Sequence, residues 1–241
     1  MKVITSINNP LIKDLTKLKQ KKYRDIEKRF LVEGYHLVNE AKKYLDLVLI
    51  TNEKDLISGV ENILVNEEII KKLSFTTTPQ NIIGVCHYFE DDRVVGDKVL
   101  ILDNLQDPGN IGTLIRSSLG FNMSSVILSN DSVDIYNDKL IRSTQGAIFQ
   151  INVVCCDIKV VIDELKKKGI KVYGTSLSNG KPLGKFEKVE KYAIVLGNEG
   201  NGVREEILKM CDDNIFIEMD RRLESLNVAI SGAIIMHYFY F

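Results

Sequence analysis

Val99-Leu100-Ile101-Leu102 is an apolar run followed at once by Asp103-Asn104-Leu105-Gln106-Asp107-Pro108-Gly109-Asn110-Ile111-Gly112, a polar segment that leads towards Leu119. An apolar run too short for a helix and bounded by turn residues reads as a buried strand, so this stretch predicts strand, turn and helix in succession. Asn110 stands at an expected helix N-cap. Arg116, six residues on, lies nearly two turns away and need not share its face. A strand-to-helix turn with an exposed arginine needs no function by itself.

The alternation of strand and helix continues downstream. A strand at Val126–Leu128, a helix at Asp138–Thr144 and a strand at Asn152–Val154 follow. Ile158, Val161, Ile162 and Leu165 then share a helical face that ends at Gly169. Further strands are predicted at Lys171–Tyr173, Ala193–Leu196 and Asn214–Ile217, with a closing helix from about Leu226 to Tyr238. Such alternation predicts an α/β fold with a mainly parallel sheet and helices on both faces, whose ligands sit beyond the carboxyl ends of the strands. Two more polar segments occupy such ends. Leu196-Gly197-Asn198-Glu199-Gly200-Asn201-Gly202-Val203 has the spacing G-x-x-G-x-G, which is not the G-x-G-x-x-G of dinucleotide folds, and no phosphate-loop motif occurs. Glu224-Ser225-Leu226-Asn227 supplies cap candidates for the last helix.

Upstream, Asn9-Pro10 marks a helix start, and Leu11, Leu15 and Leu18 recur at helical spacing. From Phe30 to Val85 short apolar runs alternate with helical stretches, one opening at Asn66, which reads as a small α/β unit. Glu90-Asp91-Asp92-Arg93 is a polar break, so a linker is expected near residues 88–97 and domains at 1–90 and 97–241. Residues 1–29 carry nine cations against three anions, which leaves this segment at +6 and the remainder at −7. A basic segment of this kind is either a solvated helix face or a contact for a polyanion.

With 241 residues, 44% hydrophobic and 27% charged, and 32 Lys+Arg against 33 Asp+Glu, the composition is that of a globular chain. The apolar stretch Ile230 to Phe241 is interrupted by Ser231 and His237 and is too short to span a bilayer. Met1 to Asn9 lacks a signal pattern, and Cys86, Cys155, Cys156 and Cys211 lack paired spacing, so a cytoplasmic setting is expected. His36, His87 and His237 are far apart, and neither a metal site nor a nucleophile–histidine pair is expected. Cys155-Cys156, in a strand, are expected as small buried apolar residues.

Taken together, Asp107-Pro108-Gly109-Asn110-Ile111-Gly112 with Arg116, Leu196-Gly197-Asn198-Glu199-Gly200 and Ser225-Leu226-Asn227 resemble, in order and interval, the motifs of the SpoU (TrmH-like) RNA ribose 2′-O-methyltransferases of the SPOUT superfamily. Arg142-Ser143-Thr144-Gln145-Gly146-Ala147-Ile148-Phe149 is similar to the family's intervening motif. Arg29-Phe30-Leu31-Val32-Glu33-Gly34 and Thr78-Pro79-Gln80 are similar to its N-terminal substrate-binding domain. The resemblance implies S-adenosylmethionine as methyl donor, held by Thr175, Leu196, Gly197, Ile217 and Leu226. It implies catalytic positions at Asn110, Arg116, Glu199, Ser225 and Asn227, a deep trefoil knot, a homodimer, and RNA as substrate, ribosomal in preference to transfer RNA. With RNA as the polyanion, Lys17, Lys19, Lys21, Lys22 and Arg142 become the candidate contacts.

Glu218 stands where the family usually has proline, and Arg221 where glycine is common, which bears on the shape of the cofactor loop. Arg221 and Arg222 are either phosphate contacts or exposed side chains. Two other classes are separable from the main reading. A non-catalytic RNA-binding protein with this fold would fail to transfer a radiolabelled methyl group, and a dinucleotide-dependent oxidoreductase lacks its fingerprint here.

Overall fold

The structure is a computed structural model that describes residues 1–89, 96–220 and 222–240. Most of the expected linker, and Arg221 and Phe241, lie outside the described residues. The chain divides into two compact units, one of Met1–Asp91 with Tyr136–Phe149 and the other of Asp92–Ile135 with Gln150–Phe241.

The first unit contains β1 (Lys2–Ile4), α1 (Pro10–Lys17), α2 (Lys21–Glu27), β2 (Arg29–Glu33), α3 (Tyr35–Glu40), β3 (Leu45–Ile50), β4 (Glu61–Val65), α4 (Glu67–Leu73) and β5 (Ile82–His87). Its five strands are ordered β1-β4-β3-β5-β2. β1, β4 and β3 run parallel, and β5 lies antiparallel to β3 and β2. The Asn9 side chain caps α1 by accepting from the Leu11 amide at 3.0 Å, with Pro10 at the first helical position as its fixed φ favours. Ile12, Leu15 and Leu18 then bury with Leu31, Leu49, Ile63 and Val85. The expected linear division at 1–90 and 97–241 differs from the compact one in Tyr136–Phe149. Tyr136 stacks on Tyr88 with ring centroids 3.6 Å apart and sits 4.9 Å from Phe30, and Phe149 lies 5.8 Å from Tyr44. Aromatic burial assigns this segment to the first core, and no local pattern says which core an apolar side chain joins.

The second unit contains β6 (Lys98–Asp103), α5 (Pro108–Gly120) and β7 (Ser125–Ser129) before the chain contributes α6 (Asp138–Thr144) to the first unit. It resumes with β8 (Asn152–Cys156), α7 (Ile158–Lys167), β9 (Lys171–Thr175), β10 (Lys181–Pro182), β11 (Tyr192–Gly197), α8 (Glu205–Leu208), β12 (Asp213–Phe216) and α9 (Val228–Tyr240). The seven strands, in the order β10-β12-β9-β11-β6-β7-β8, pair in parallel throughout. Parallel strands covered on both faces need continuous apolar runs, and β11 and β7 are buried along their full lengths. Val99, Ile101, Val172, Ala193 and Val195 pack with Val161, Ile162 and Leu165 of α7. On α9, Phe239 lies 5.5 Å from the Tyr173 ring and 4.7 Å from Tyr192. Gly232 lets α9 approach α5, since a Cβ there would stand 2.4 Å from Leu114 and 2.7 Å from Leu196.

Cys155 is exposed and Cys156 half-buried, against the expectation of two buried thiols. β8 is an edge strand, so its carboxyl end lacks the covering neighbour that the central strands have.

Candidate active site

The carboxyl ends of β9, β11 and β12 open into a cavity of about 640 Å³ in the second unit. Thr175, Leu196, Gly197, Ile217 and Leu226 all line it, and so do Glu199, Ser225 and Asn227. Its walls are apolar at Leu196, Val203, Ile217, Leu226 and Ile235 and polar at Ser176, Ser178 and Asn198. Thr175 is tied to the sheet through its hydroxyl, which donates to the Val195 carbonyl at 3.0 Å.

The loop after β11 is a tight hairpin. Asn198 and Gly202 exchange backbone hydrogen bonds at 3.0 and 2.9 Å, and Gly202 supplies the left-handed φ of +69° that closes the turn. Gly197 has no space for a side chain, because a Cβ there would lie 2.0 Å from the Gly202 carbonyl carbon and 2.0 Å from the Val203 amide. Glu199, exposed at the hairpin tip, accepts a hydrogen bond from Asn110 Nδ2 at 3.1 Å. Asn110 Oδ1 in turn accepts from Asn227 Nδ2 at 2.9 Å, and Asn227 Oδ1 accepts from the Ala229 amide at 2.9 Å. An ionised carboxylate only accepts, so Glu199 fixes which way the Asn110 amide faces, and Asn110 fixes Asn227. Three residues, one from the first turn of α5 and two from loops, form one directional chain that ends at the first amides of α9.

One cap and one helix start differ from expectation. Asp107, not Asn110, caps α5, its carboxylate accepting from the Asn110 amide at 2.8 Å, which leaves the Asn110 side chain free to reach Glu199. Asn227 caps the closing helix, which starts at Val228 and not at Leu226. Arg116 is exposed on α5 and makes no hydrogen bond or ion pair to any described residue. At 1.5 Å rise per residue it lies about 9 Å along the helix axis from Asn110. Ser225 is exposed on the cavity rim. Arg222 binds Asp220 through Nε and Nη2, both at 2.9 Å, so its guanidinium is already engaged.

Spacing in the sequence gave no sign of an ion-pair network beneath the hairpin. Asp103, fully buried at the end of β6, accepts from the Arg204 amide at 2.9 Å and from its Nε at 2.8 Å, and it also pairs with Arg204 Nη2. Arg204 Nη1 reaches Asp131 at 3.1 Å. The Asp103 hydrogen bond holds the guanidinium further into its charged form, and the Ser129 hydroxyl, then the residue's own backbone amide and then Arg204, keep the Asp131 carboxyl below its usual range. Gly197 pairs with Asp103 in the sheet register, so the network sits directly under the hairpin.

In the first unit the candidate cations are in different states. Lys21 and Lys22 are exposed, and Lys17 is exposed with its ammonium 2.8 Å from Asp14. Lys19 donates to the Ser74 carbonyl at 2.6 Å and lies over the Phe75 ring at 5.3 Å, and burial lowers its pKa. Arg142, on α6, pairs with Asp138 at 2.8 Å.

Among the described residues no group of three or more His, Cys, Asp and Glu side chains is placed to hold a metal ion, and no helix is long and apolar enough to cross a membrane. The MRM3-like substrate binding domain matches residues 9–84, and the SpoU rRNA Methylase family matches residues 97–237. A relative in Bacillus subtilis (strain 168), the 23S rRNA (guanosine(2553)-2'-O)-methyltransferase RlmP, is 40% identical over 245 residues and 99% of each chain. The AdoMet-bound rRNA methyltransferase from Sinorhizobium meliloti superposes with a TM-score of 0.89 at 26% identity, over 99% of this chain and 97% of its own. A solved RNA 2′-O ribose methyltransferase superposes with a TM-score of 0.81 at 26% identity, over 98% and 97%. The all-parallel sheet, the cavity at its strand ends and the motif residues that line it are features of the same 97–237 stretch, and this chain belongs to the SpoU rRNA methylase family.

Proposed function

We propose that this chain transfers a methyl group from S-adenosylmethionine to a ribose 2′-hydroxyl of ribosomal RNA. One observation carries the reading: the cavity at the strand ends is lined by all five motif residues assigned to the cofactor and adjoins the Glu199–Asn110–Asn227 chain. About 640 Å³ falls within the range of cofactor pockets, roughly 300–1,000 Å³. Apolar walls at Leu196, Ile217 and Leu226 suit an adenine ring, and the backbone polar groups of the β11 hairpin suit its edge and a ribose. The residues present therefore fit the group.

When bound, S-adenosylmethionine supplies an electrophilic methyl carbon on a sulfonium. The chain's own part is positioning and charge. Thr175, Leu196, Gly197, Ile217 and Leu226 hold the cofactor. Asn110, Glu199, Ser225 and Asn227 orient the target nucleotide, with the amides locked in one direction as described. Arg116, which has no partner among the described residues, binds the adjoining phosphate and polarises the 2′-hydroxyl. A guanidinium with a pKa above ~12 is a poor base, so the hydroxyl proton goes to that phosphate or to water. Good alignment and a polarised hydroxyl suffice for a displacement of this kind.

The first unit captures the RNA and the second performs the chemistry, a division supported by the match of residues 9–84 to a substrate-binding domain. Of the candidate cations, Lys17, Lys21 and Lys22 are the exposed ones on α1 and α2. Each phosphate neutralised on single-stranded RNA contributes about −0.7 to the slope of log affinity against log salt. Replacing these three lysines by alanine flattens that slope by about 2 units and leaves cofactor affinity unchanged. Filter binding across a salt series checks this, and an unaltered slope moves the RNA surface elsewhere.

The reading includes a cytoplasmic homodimer and the deep trefoil knot of the family. α9 supports the dimer: Ile230 and Ile234, one helical turn apart, are 53% and 38% exposed on a helix that is apolar nearly all round. The strand order supports the knot, since β12 lies outside β9 while the α9 that follows it returns to pack on α5 and on Leu196 of β11. Sedimentation of the purified protein at micromolar concentration is expected to give twice the mass of one chain, and a monomer removes the dimer from the account.

A further inference from the structure

We infer that Asn198 is a positioning residue for Glu199, holding the hairpin so that this carboxylate meets Asn110; the inference deepens the methyl-transfer reading and rests on it. The Asn198 side-chain amide is used at both ends. Its Oδ1 accepts from the Gly200 amide at 2.9 Å and the Asn201 amide at 3.2 Å, drawing the hairpin tip around a single acceptor. Its Nδ2 donates to the Asn104 carbonyl at 2.9 Å, across 94 residues of sequence. Asn104 is itself fixed, with φ +57° and its amide donating to the Ser129 hydroxyl at 2.8 Å. From Asn104 the chain runs to the Asp107 cap and to Asn110.

The hairpin is thus pinned on both flanks to the end of β6 and the loop that follows it, by Asn198 on Asn104 before the tip and by Arg204 on Asp103 after it. Glu199 closes a third link onto Asn110. That link is exposed, at 3.1 Å, and is the only side-chain hydrogen bond Glu199 makes among the described residues. An exposed hydrogen bond does not hold a loop against thermal motion by itself. The two flanking pins do so, and of these Asn198 is the one adjacent to Glu199. The geometry also selects asparagine. Aspartate at 198 would keep the acceptor but set a carboxylate against the Asn104 carbonyl, and serine has no group that reaches across.

A double-mutant cycle with Glu199 tests this. Asn198→Ala is expected to lower kcat roughly 10- to 100-fold with KM for RNA held within about twofold. Because its effect passes through Glu199, the Asn198→Ala/Glu199→Ala chain is expected to match Glu199→Ala within about twofold. Losses that multiply in the double variant, or wild-type turnover in Asn198→Ala, overturn the proposal. If Asn198→Ala melts below the assay temperature, the cycle is run with Asn198→Ser, whose hydroxyl keeps an acceptor for the turn amides, with the same two criteria. NMR of the side-chain amides supplies a readout that needs no activity: the Asn110 NH2 resonance is expected to shift alike in Asn198→Ala and in Glu199→Ala. An Asn110 resonance unmoved by Asn198→Ala overturns the positioning role. An inactive wild-type chain overturns the function reading and leaves the NMR criterion to decide this one.

Discussion

Arg116→Ala is expected to lower methyl transfer by at least about 100-fold while the melting temperature and S-adenosylmethionine affinity stay at wild-type values. The separation follows from where the side chain is. Arg116 is exposed, bonds to no described residue and is not part of the cavity lining, so its removal costs neither packing nor cofactor contacts. The effect falls on the RNA alone, where one planar fork spans a phosphate and the reacting hydroxyl. Arg116→Lys is expected to recover little, because an ammonium offers a point charge and no fork. Single-turnover transfer from labelled S-adenosylmethionine, with calorimetry of the same variants, measures both halves. Wild-type turnover in either variant removes Arg116 from the mechanism, and lost cofactor binding places it in the wrong site.

Gly197→Ala is expected to weaken S-adenosylmethionine binding by two orders of magnitude or more and to bring methyl transfer to background. The added Cβ would lie 2.0 Å from the Gly202 carbonyl carbon and from the Val203 amide, and neither moves unless the Asn198–Gly202 hairpin opens. Forcing atoms into such a space costs about 1–3 kcal/mol or more, so lower thermal stability accompanies the lost binding. Gly200→Ala is the control. Its Cβ would meet nothing nearer than Asn198 Oδ1 at 3.6 Å, an ordinary contact, and near-native binding is expected. If Gly197→Ala binds the cofactor as the wild type does, the hairpin is not a wall of the cofactor site.

How far the sequence carried the structure depended on the range of each interaction. Strand–helix alternation in the second half, the Asn9 and Asn66 caps and the glycine-rich turn after β11 rest on neighbouring residues, and all were legible. The motif residues were legible as a set through resemblance to a family. Contacts across the chain were not. Asp103 and Arg204 are 101 residues apart, and Asn198 and Asn104 are 94 apart, so neither spacing nor periodicity connects them. The Tyr136–Phe149 segment looked like one more strand-to-strand connection and instead completes the aromatic core of the first unit. Lys19 looked like its charged neighbours, and only the fold shows its ammonium seated on the Ser74 carbonyl. The placement of caps was ambiguous by a few residues: Asp107 and Asn110 are both good N-cap types, and Pro108, whose fixed φ suits the first helical position, goes with Asp107 as the cap.

The claim on which all of this depends is that the chain methylates a ribose in ribosomal RNA. Purified protein is incubated with methyl-labelled S-adenosylmethionine and unmodified 23S ribosomal RNA, and the labelled site is mapped by resistance of its 3′ linkage to alkaline cleavage. The account predicts stoichiometric label at a single ribose 2′-oxygen, absent with Arg116→Ala. RNA that binds the protein and acquires no label, or label that lies on a base and leaves every linkage alkali-sensitive, contradicts it.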